Sequence, residues 1–249
     1  ATTTGITSSS HSWRTTWRGT HERFFPDPAE HCKMLLIGMF DSPYVRRVAV
    51  SMRRLGFPFD HGNWSVGADF DRIREYSPLG RVPVLVLEDG TVLVESAAIL
   101  DALDDMAGPS RALLPATGTS RREALRLMSL SIAAAEKARE VIYERMVRPP
   151  EKYHEPWVAR CRDQMHGALG ALEQACVRRG PSGWLVEDRL TQADITVTAM
   201  STFLAESMGI FDEPTRYPLL RAHNQQCEAL PDFVATYSKW FMAEVRKDT

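Results

Sequence analysis

The 249-residue chain has 44% hydrophobic and 25% charged residues and a formal net charge of -2, an ordinary globular profile with no field to draw in nucleic acid or an anionic membrane. That length supports one large domain or two ordinary ones, so a core needs no metal or disulfide to hold it. No apolar run reaches the roughly 18 residues of a membrane span, and the opening lacks the apolar middle of a secretory signal, so a soluble cytoplasmic protein is expected.

Residues 1–33 stand apart as an N-terminal extension. Their first twenty positions hold seven Thr and four Ser, with Trp13 and Trp17 as anchors. Residues 34–40 then form a nearly unbroken apolar stretch that suits a buried parallel strand. Ser42 is placed to cap a helix whose first residue is Pro43. Val45, Val48, Ala49 and Met52 recur at helical spacing, and Gly56 can end the helix in a left-handed turn. A second strand over 57–61 and a short helix over 69–76 follow.

Residues 82–87 and 91–94, joined through Asp89 and Gly90, read as an antiparallel hairpin. Ser96 is placed to cap a third helix through Ile99, Leu100 and Leu103 toward Gly108. A four-stranded mixed sheet over 34–108 results, followed by a Pro-, Gly- and Ser-rich linker over 109–119. Residues 120–249 read as all-helical. Leu125, Met128, Ile132, Ala135 and Ile142 line one long helix; Cys161, Met165, Leu169, Leu172 and Cys176 line a second, with Pro149 and Pro150 between them. Thr191 and Asp194 have the spacing of a capping box at the start of a third, a structural use of the pair. Pro218 and Pro231 start two shorter helices.

The cysteines Cys32, Cys161, Cys176 and Cys227 form no C-x-x-C pair, which favours free buried thiols over a disulfide or metal framework. The pairs Arg46 and Arg47, Arg53 and Arg54, and Arg178 and Arg179 read as solvated charges.

Three places gather polar groups that suit a ligand. Capping is the ordinary use of a serine such as Ser42, but this one lies at the C-terminal edge of the first strand, where ligands of such sheets sit. A thiolate there would gain a hydroxyl donor, helix amides and the positive helix end. Lowering a thiol pKa by about two units, from about 8.5, takes roughly 2.7 kcal/mol. One charged hydrogen bond of about 1.5 to 3 kcal/mol with a helix-end contribution supplies that without a base partner. The chain has no G-x-S-x-G elbow that would make Ser42 a nucleophile. At the second place, Pro83 at a strand entrance leaves the backbone of Val82 available to a peptide-like ligand, with Arg81 beside it for a carboxylate. At the third, Glu95 can accept from an ammonium while Ser96 and the helix amides receive a carboxylate, the two ends of an amino-acid moiety.

With these pieces in order, the chain resembles the cytosolic-type glutathione transferases, of the serine type found in bacteria. The resemblance rests on Ser42, Pro43 and Tyr44 with Arg46 and Arg47; on the run Ser77, Pro78, Leu79, Gly80, Arg81, Val82, Pro83; on Glu95 and Ser96; and on the run from Asp188 to Ile195. It implies a thioredoxin-like first domain and an all-α second domain, a cis Pro83, and glutathione as cosubstrate. Val82 would hold the cysteinyl backbone, Glu95 and Ser96 the γ-glutamyl end, and Arg81 the glycyl carboxylate. Ser42 would activate the thiol for attack on a small, electrophilic, mostly apolar substrate, in a homodimer. Cysteine-type relatives have Cys at this position, so thiol exchange is disfavoured. Tyr44 is expected to wall the pocket, and Asp41 would oppose a thiolate if it faced inward. The second-substrate pocket is expected between the domains, using the helix around Met128 and Tyr143, with Trp64 or Phe40 nearby. The same motifs would serve a glutathione-dependent isomerase, dehalogenase or etherase, for which two convergent arginines would favour a carboxylated metabolite. They would also survive in a non-catalytic scaffold.

Overall fold

The structure, a computed structural model, describes residues 33–179 and 183–241. The extension up to residue 32, including Trp13, Trp17 and Cys32, lies outside the described residues. The first unit contains β1 (Met34–Ile37), α1 (Pro43–Leu55), β2 (Phe59–Gly62), α2 (Phe70–Arg74), β3 (Val84–Val86), β4 (Val92–Val94) and α3 (Ser96–Ala107). The sheet order is β2-β1-β3-β4, with β1 and β2 parallel and the other neighbours antiparallel, which is the mixed thioredoxin-like sheet expected.

Side chains of β1 alternate between two cores, as the pleat requires. Met34 and Leu36 join Leu85 against α1 and α3, while Leu35 and Ile37 join Val84, Val86 and Ile73 beneath α2. The strand stops at Ile37, short of the expected end at residue 40. Gly38, at φ 127, turns the chain out of the sheet, and a Cβ there would lie 2.6 Å from Val45 Cγ2 and 2.8 Å from Val82 Cβ. Only glycine allows β1, α1 and the segment before β3 to approach so closely. That meeting point is the candidate site.

The second unit is all-helical: α4 (Gly118–Met146), α5 (Glu155–Arg178), α6 (Gln192–Met208), α7 (Pro218–Glu228) and α8 (Pro231–Val234). Helix α4 begins inside the stretch read as linker. Ala124, Ala134 and Ala138 let it pack closely on its neighbours, and the seam of α5, Cys161 to Cys176, is buried throughout. Leu125, read as part of the α4 seam, is exposed; the buried stripe runs instead through Ala124, Leu127 and Met128. Cys161, Cys176 and Cys227 are free and buried.

The two units share one core, in which Leu190, Ile195, Cys227 and Phe233 pack with Val48, Ala49 and Met52 of α1. The first turns of helix α1 are thus covered on nearly every side, and the reading of Arg46 and Arg47 as solvated is overturned. Arg46 is 3% exposed and Arg47 1%. Arg46 donates to both carboxylate oxygens of Glu228, at 2.7 and 2.5 Å, and to the Phe233 carbonyl at 3.1 Å. Ser51 Oγ, also on α1, donates to Gln192 Oε1 of α6 at 2.9 Å. Arg53 and Arg54 do remain largely in solvent, 3.9 and 3.8 Å from Asp232.

Candidate active site

Ser42 occupies the N-cap position of α1 with extended backbone, and its carbonyl accepts the Arg46 amide at 2.9 Å. Its side chain makes no capping bond, contrary to the sequence expectation. Among the described residues the hydroxyl of this half-buried residue is therefore uncommitted, at the positive end of a thirteen-residue helix. Pro43 has no N–H to offer, so the first orphan donors of the helix are the amides of Tyr44 and Val45.

The Val82–Pro83 peptide is cis. Val82 precedes β3 and lies outside the ladder, so its amide and carbonyl are not used by the sheet. Its side chain reaches the Cα face of Gly38, which places it beside the mouth of α1.

The Glu95 and Ser96 pair is arranged differently from expectation. Glu95, not Ser96, is the N-cap of α3, with φ 65 and ψ 121, a conformation that a non-glycine side chain rarely adopts. Such a backbone is characteristic of a functional position over-determined by its surroundings. Ser96 is the first helical residue, buried, and its Oγ accepts from Arg47 Nη2 at 2.6 Å. Arg81 Nη1 lies 3.4 Å from Glu95 Oε1, both side chains about half exposed. An exposed pair of this kind is worth no more than about 1 kcal/mol, so an incoming carboxylate can draw Arg81 away.

Two ionisable neighbours flank Ser42. Burial, then the negative charge of Glu136, pushes the Tyr44 phenol up to about 12, with Arg139, Arg47 and Arg81 opposing; its hydroxyl is buried without a partner among the described residues. It stays protonated at neutral pH. Glu136 and Arg139 belong to α4, so that helix brings charges toward the cleft. Burial also raises the Asp41 pKa against backbone hydrogen bonds that lower it, chiefly from Phe241 and Ser42, while Glu206 raises it further.

A carboxyl whose folded pKa is raised favours the fold fully below its unfolded value, and that contribution is lost as pH rises through the folded value. Asp41→Asn is therefore expected to raise Tm at pH 7, with the difference closing as pH falls below the ordinary aspartate value of 3.8. Thermal melts of both proteins from pH 3 to 8 check this; a difference that grows on acidification contradicts it.

The remaining expectations divide. Trp64 packs with Tyr76, on the sheet face covered by α2, and Arg72 stacks 3.7 Å over its ring. Its ring thus packs on the face of the sheet opposite α1. Phe40 stacks on His61 with ring centroids 3.8 Å apart and lines a groove of about 540 Å³ with Phe57, Phe59 and Ala235.

Arg47, which reads from the sequence as a solvated charge, is instead a buried group that touches Ser96. A signal was present: the run from Val48 to Met52 contains no charged position, which marks a helix buried on more than one face, so a basic residue just before it is not freely solvated.

A second nucleophile cluster is structural. His223 Nε2 lies 3.7 Å from Cys227 Sγ and 3.5 Å from Asp194 Oδ1, but all three side chains are fully buried and burial pushes the thiol up to about 12. Asp194 instead forms the capping box with Thr191. Among the described residues no group of three His, Cys, Asp or Glu side chains could hold a metal ion, and no helix is long and apolar enough to cross a membrane.

Comparison with known proteins bears on this geometry. Residues 36–111 match the family model described as glutathione S-transferase, N-terminal domain, and residues 155–223 match glutathione S-transferase, C-terminal domain, together more than half of the chain. The uncharacterized GST-like protein YibF of Escherichia coli K12 is 27% identical over 173 residues, covering 69% of this chain and 82% of YibF. The crystal structure of a glutathione S-transferase from Methylobacterium radiotolerans, in complex with glutathione sulfonate, superposes with a TM-score of 0.76 at 27% identity, covering 85% of this chain and 99% of that one. A glutathione S-transferase from Methylobacillus flagellatus with glutathione bound gives 0.75 at 25% identity, covering 82% and 98%.

Proposed function

Since the chain belongs to the glutathione S-transferase superfamily, we propose that it is a serine-type glutathione transferase whose cleft at the mouth of α1 binds glutathione and activates its thiol. The observation that carries this reading is the Ser42 hydroxyl, left out of the helix cap at the N-terminus of α1. The hydroxyl donates to the glutathione sulfur. The helix end adds a positive field, and the thiolate so favoured attacks an electrophilic carbon while the leaving group departs. Val82 pairs through its backbone with the cysteinyl residue, Glu95 and Ser96 take the γ-glutamyl end, and Arg81 exchanges Glu95 for the glycyl carboxylate. The chain supplies position and a lowered thiol pKa, and acts as a homodimer in the cytoplasm.

The test is direct. The thiolate absorbance of glutathione, titrated with and without saturating protein, is expected to show a bound pKa one to two units below the free value of about 8.5. Equal values in both titrations would sink thiol activation.

A second reading has one observation in its favour. Glu136 and Arg139, both of α4, act on the Tyr44 phenol, so the wall contributed by α4 carries charge toward the cleft. A carboxylated second substrate suits Arg139, as in a glutathione-dependent isomerase, dehalogenase or etherase. Parallel assays of conjugation, isomerisation, dehalogenation and β-ether cleavage separate the two.

A further inference from the structure

Arg47 takes no part in the scheme above, yet its surroundings demand a reason. It sits in the second turn of α1 at 1% exposure, among the largest fully buried side chains. Among the described residues only Nη2 finds a partner, Ser96 Oγ; Nε and Nη1 are buried with none. Among the described residues no carboxylate lies within ion-pair distance of it. Its neighbour Arg46 shows how this protein neutralises a buried guanidinium that only holds the fold, with both oxygens of Glu228 in a fork. A buried cation with donors to spare is expensive, and an apolar side chain would fill the same space more stably.

Burial lowers the guanidinium pKa to about 10, with Tyr44 and Glu95 opposing, so the charge is kept at neutral pH. Ser96 is the first residue of α3, where orphan amides and the helix end already favour an anion. A serine oxygen that accepts from a guanidinium must aim its own proton elsewhere, and the cation makes that proton a stronger donor. Ser96 thus becomes a one-way donor, backed by a positive charge that Glu95 acts on from a distance but that no carboxylate pairs with among the described residues.

We propose that Arg47 is a positioning residue for an α-carboxylate: it fixes Ser96 Oγ as the donor and holds the counter-charge that the ligand neutralises on binding. The inference rests on the cleft being a glutathione site, the carboxylate then being that of the γ-glutamyl end. The guanidinium acts through Ser96 and does not meet the reacting sulfur.

The test compares two ligands by calorimetry: glutathione, and 4-aminobutyryl-cysteinylglycine, which has hydrogen in place of the γ-glutamyl α-carboxylate. The parent should prefer glutathione by at least about tenfold, and Arg47→Met should reduce that preference about tenfold while barely changing affinity for the analogue. Arg47→Lys should restore part of it. In a Ser96→Ala background Arg47→Met should have little further effect, because the two act as a unit. Equal weakening of both ligands, as lost packing would produce, overturns the inference and leaves the glutathione site intact. No binding of glutathione to the parent overturns both. Should the methionine variant fail to fold, Arg47→Gln keeps a donor for Ser96 without the charge, and an undiminished preference there also overturns it.

Discussion

Replacing Asp194 with alanine is expected to cost the folded protein about 4 kcal/mol or more, a large part of a typical stability of about 5 to 15 kcal/mol. Its carboxylate is fully buried and accepts from the Leu185 amide at 2.9 Å and from the Thr191 amide and hydroxyl at 2.8 Å each. Alanine would strand three donors, each worth about 1 to 3 kcal/mol when left buried and unsatisfied, and would open a cavity beside His223. Asparagine does not repair the loss. Both carboxylate oxygens face N–H or O–H donors, so an amide nitrogen in either place meets another donor. Urea denaturation followed by circular dichroism measures the effect, and a loss under about 1 kcal/mol would show that α6 does not depend on this box. Because α6 packs on α1, the helix that presents Ser42, the damage should extend to ligand binding.

Ser42→Ala is expected to lower turnover with glutathione about 10- to 1,000-fold, the effect of removing one donor from a developing or bound anion. Binding of S-methyl glutathione should change little, because its sulfur carries no charge for the hydroxyl to stabilise. Stability should change little as well. A capping serine would take about 1 kcal/mol with it, but Ser42 makes no capping bond to lose. The three measurements together separate roles: unchanged turnover removes Ser42 from the chemistry, and a clear loss of Tm returns it to the cap.

Asp41→Asn and Arg47→Met probe the same site from opposite charges. The first removes an acid next to Ser42; the second removes a cation behind Ser96. Neither role followed from residue type. The sequence does not say which way Asp41 faces; in the structure its carboxyl is half-buried near Phe241 and Glu206, where its charge is disfavoured. Arg46 and Arg47 read as ordinary surface charges because local spacing puts them beside apolar positions without saying what lies opposite. The sheet covers one side of α1, and α6 and α8 cover another, so both guanidinia became interior groups with opposite fates.

Legibility followed the range of the interaction. Strand and helix identities, the hairpin at Asp89 and Gly90, the Thr191 and Asp194 box, the α5 seam and the order of the site motifs were all readable, because each is set by contacts within a few residues along the chain. The two-domain fold was readable as well, since periodicity switches once, from short apolar strands to long helical stripes. What the tertiary structure decided involves partners far apart in sequence. It released Ser42 from capping, moved the cap of α3 to Glu95 at a left-handed φ, turned Trp64 to the opposite face of the sheet and buried Arg47 against Ser96, forty-nine positions away. A residue's type announces which bonds it is able to make. Which of them remain unmade, and so available to a ligand, depends on the packing of the whole chain.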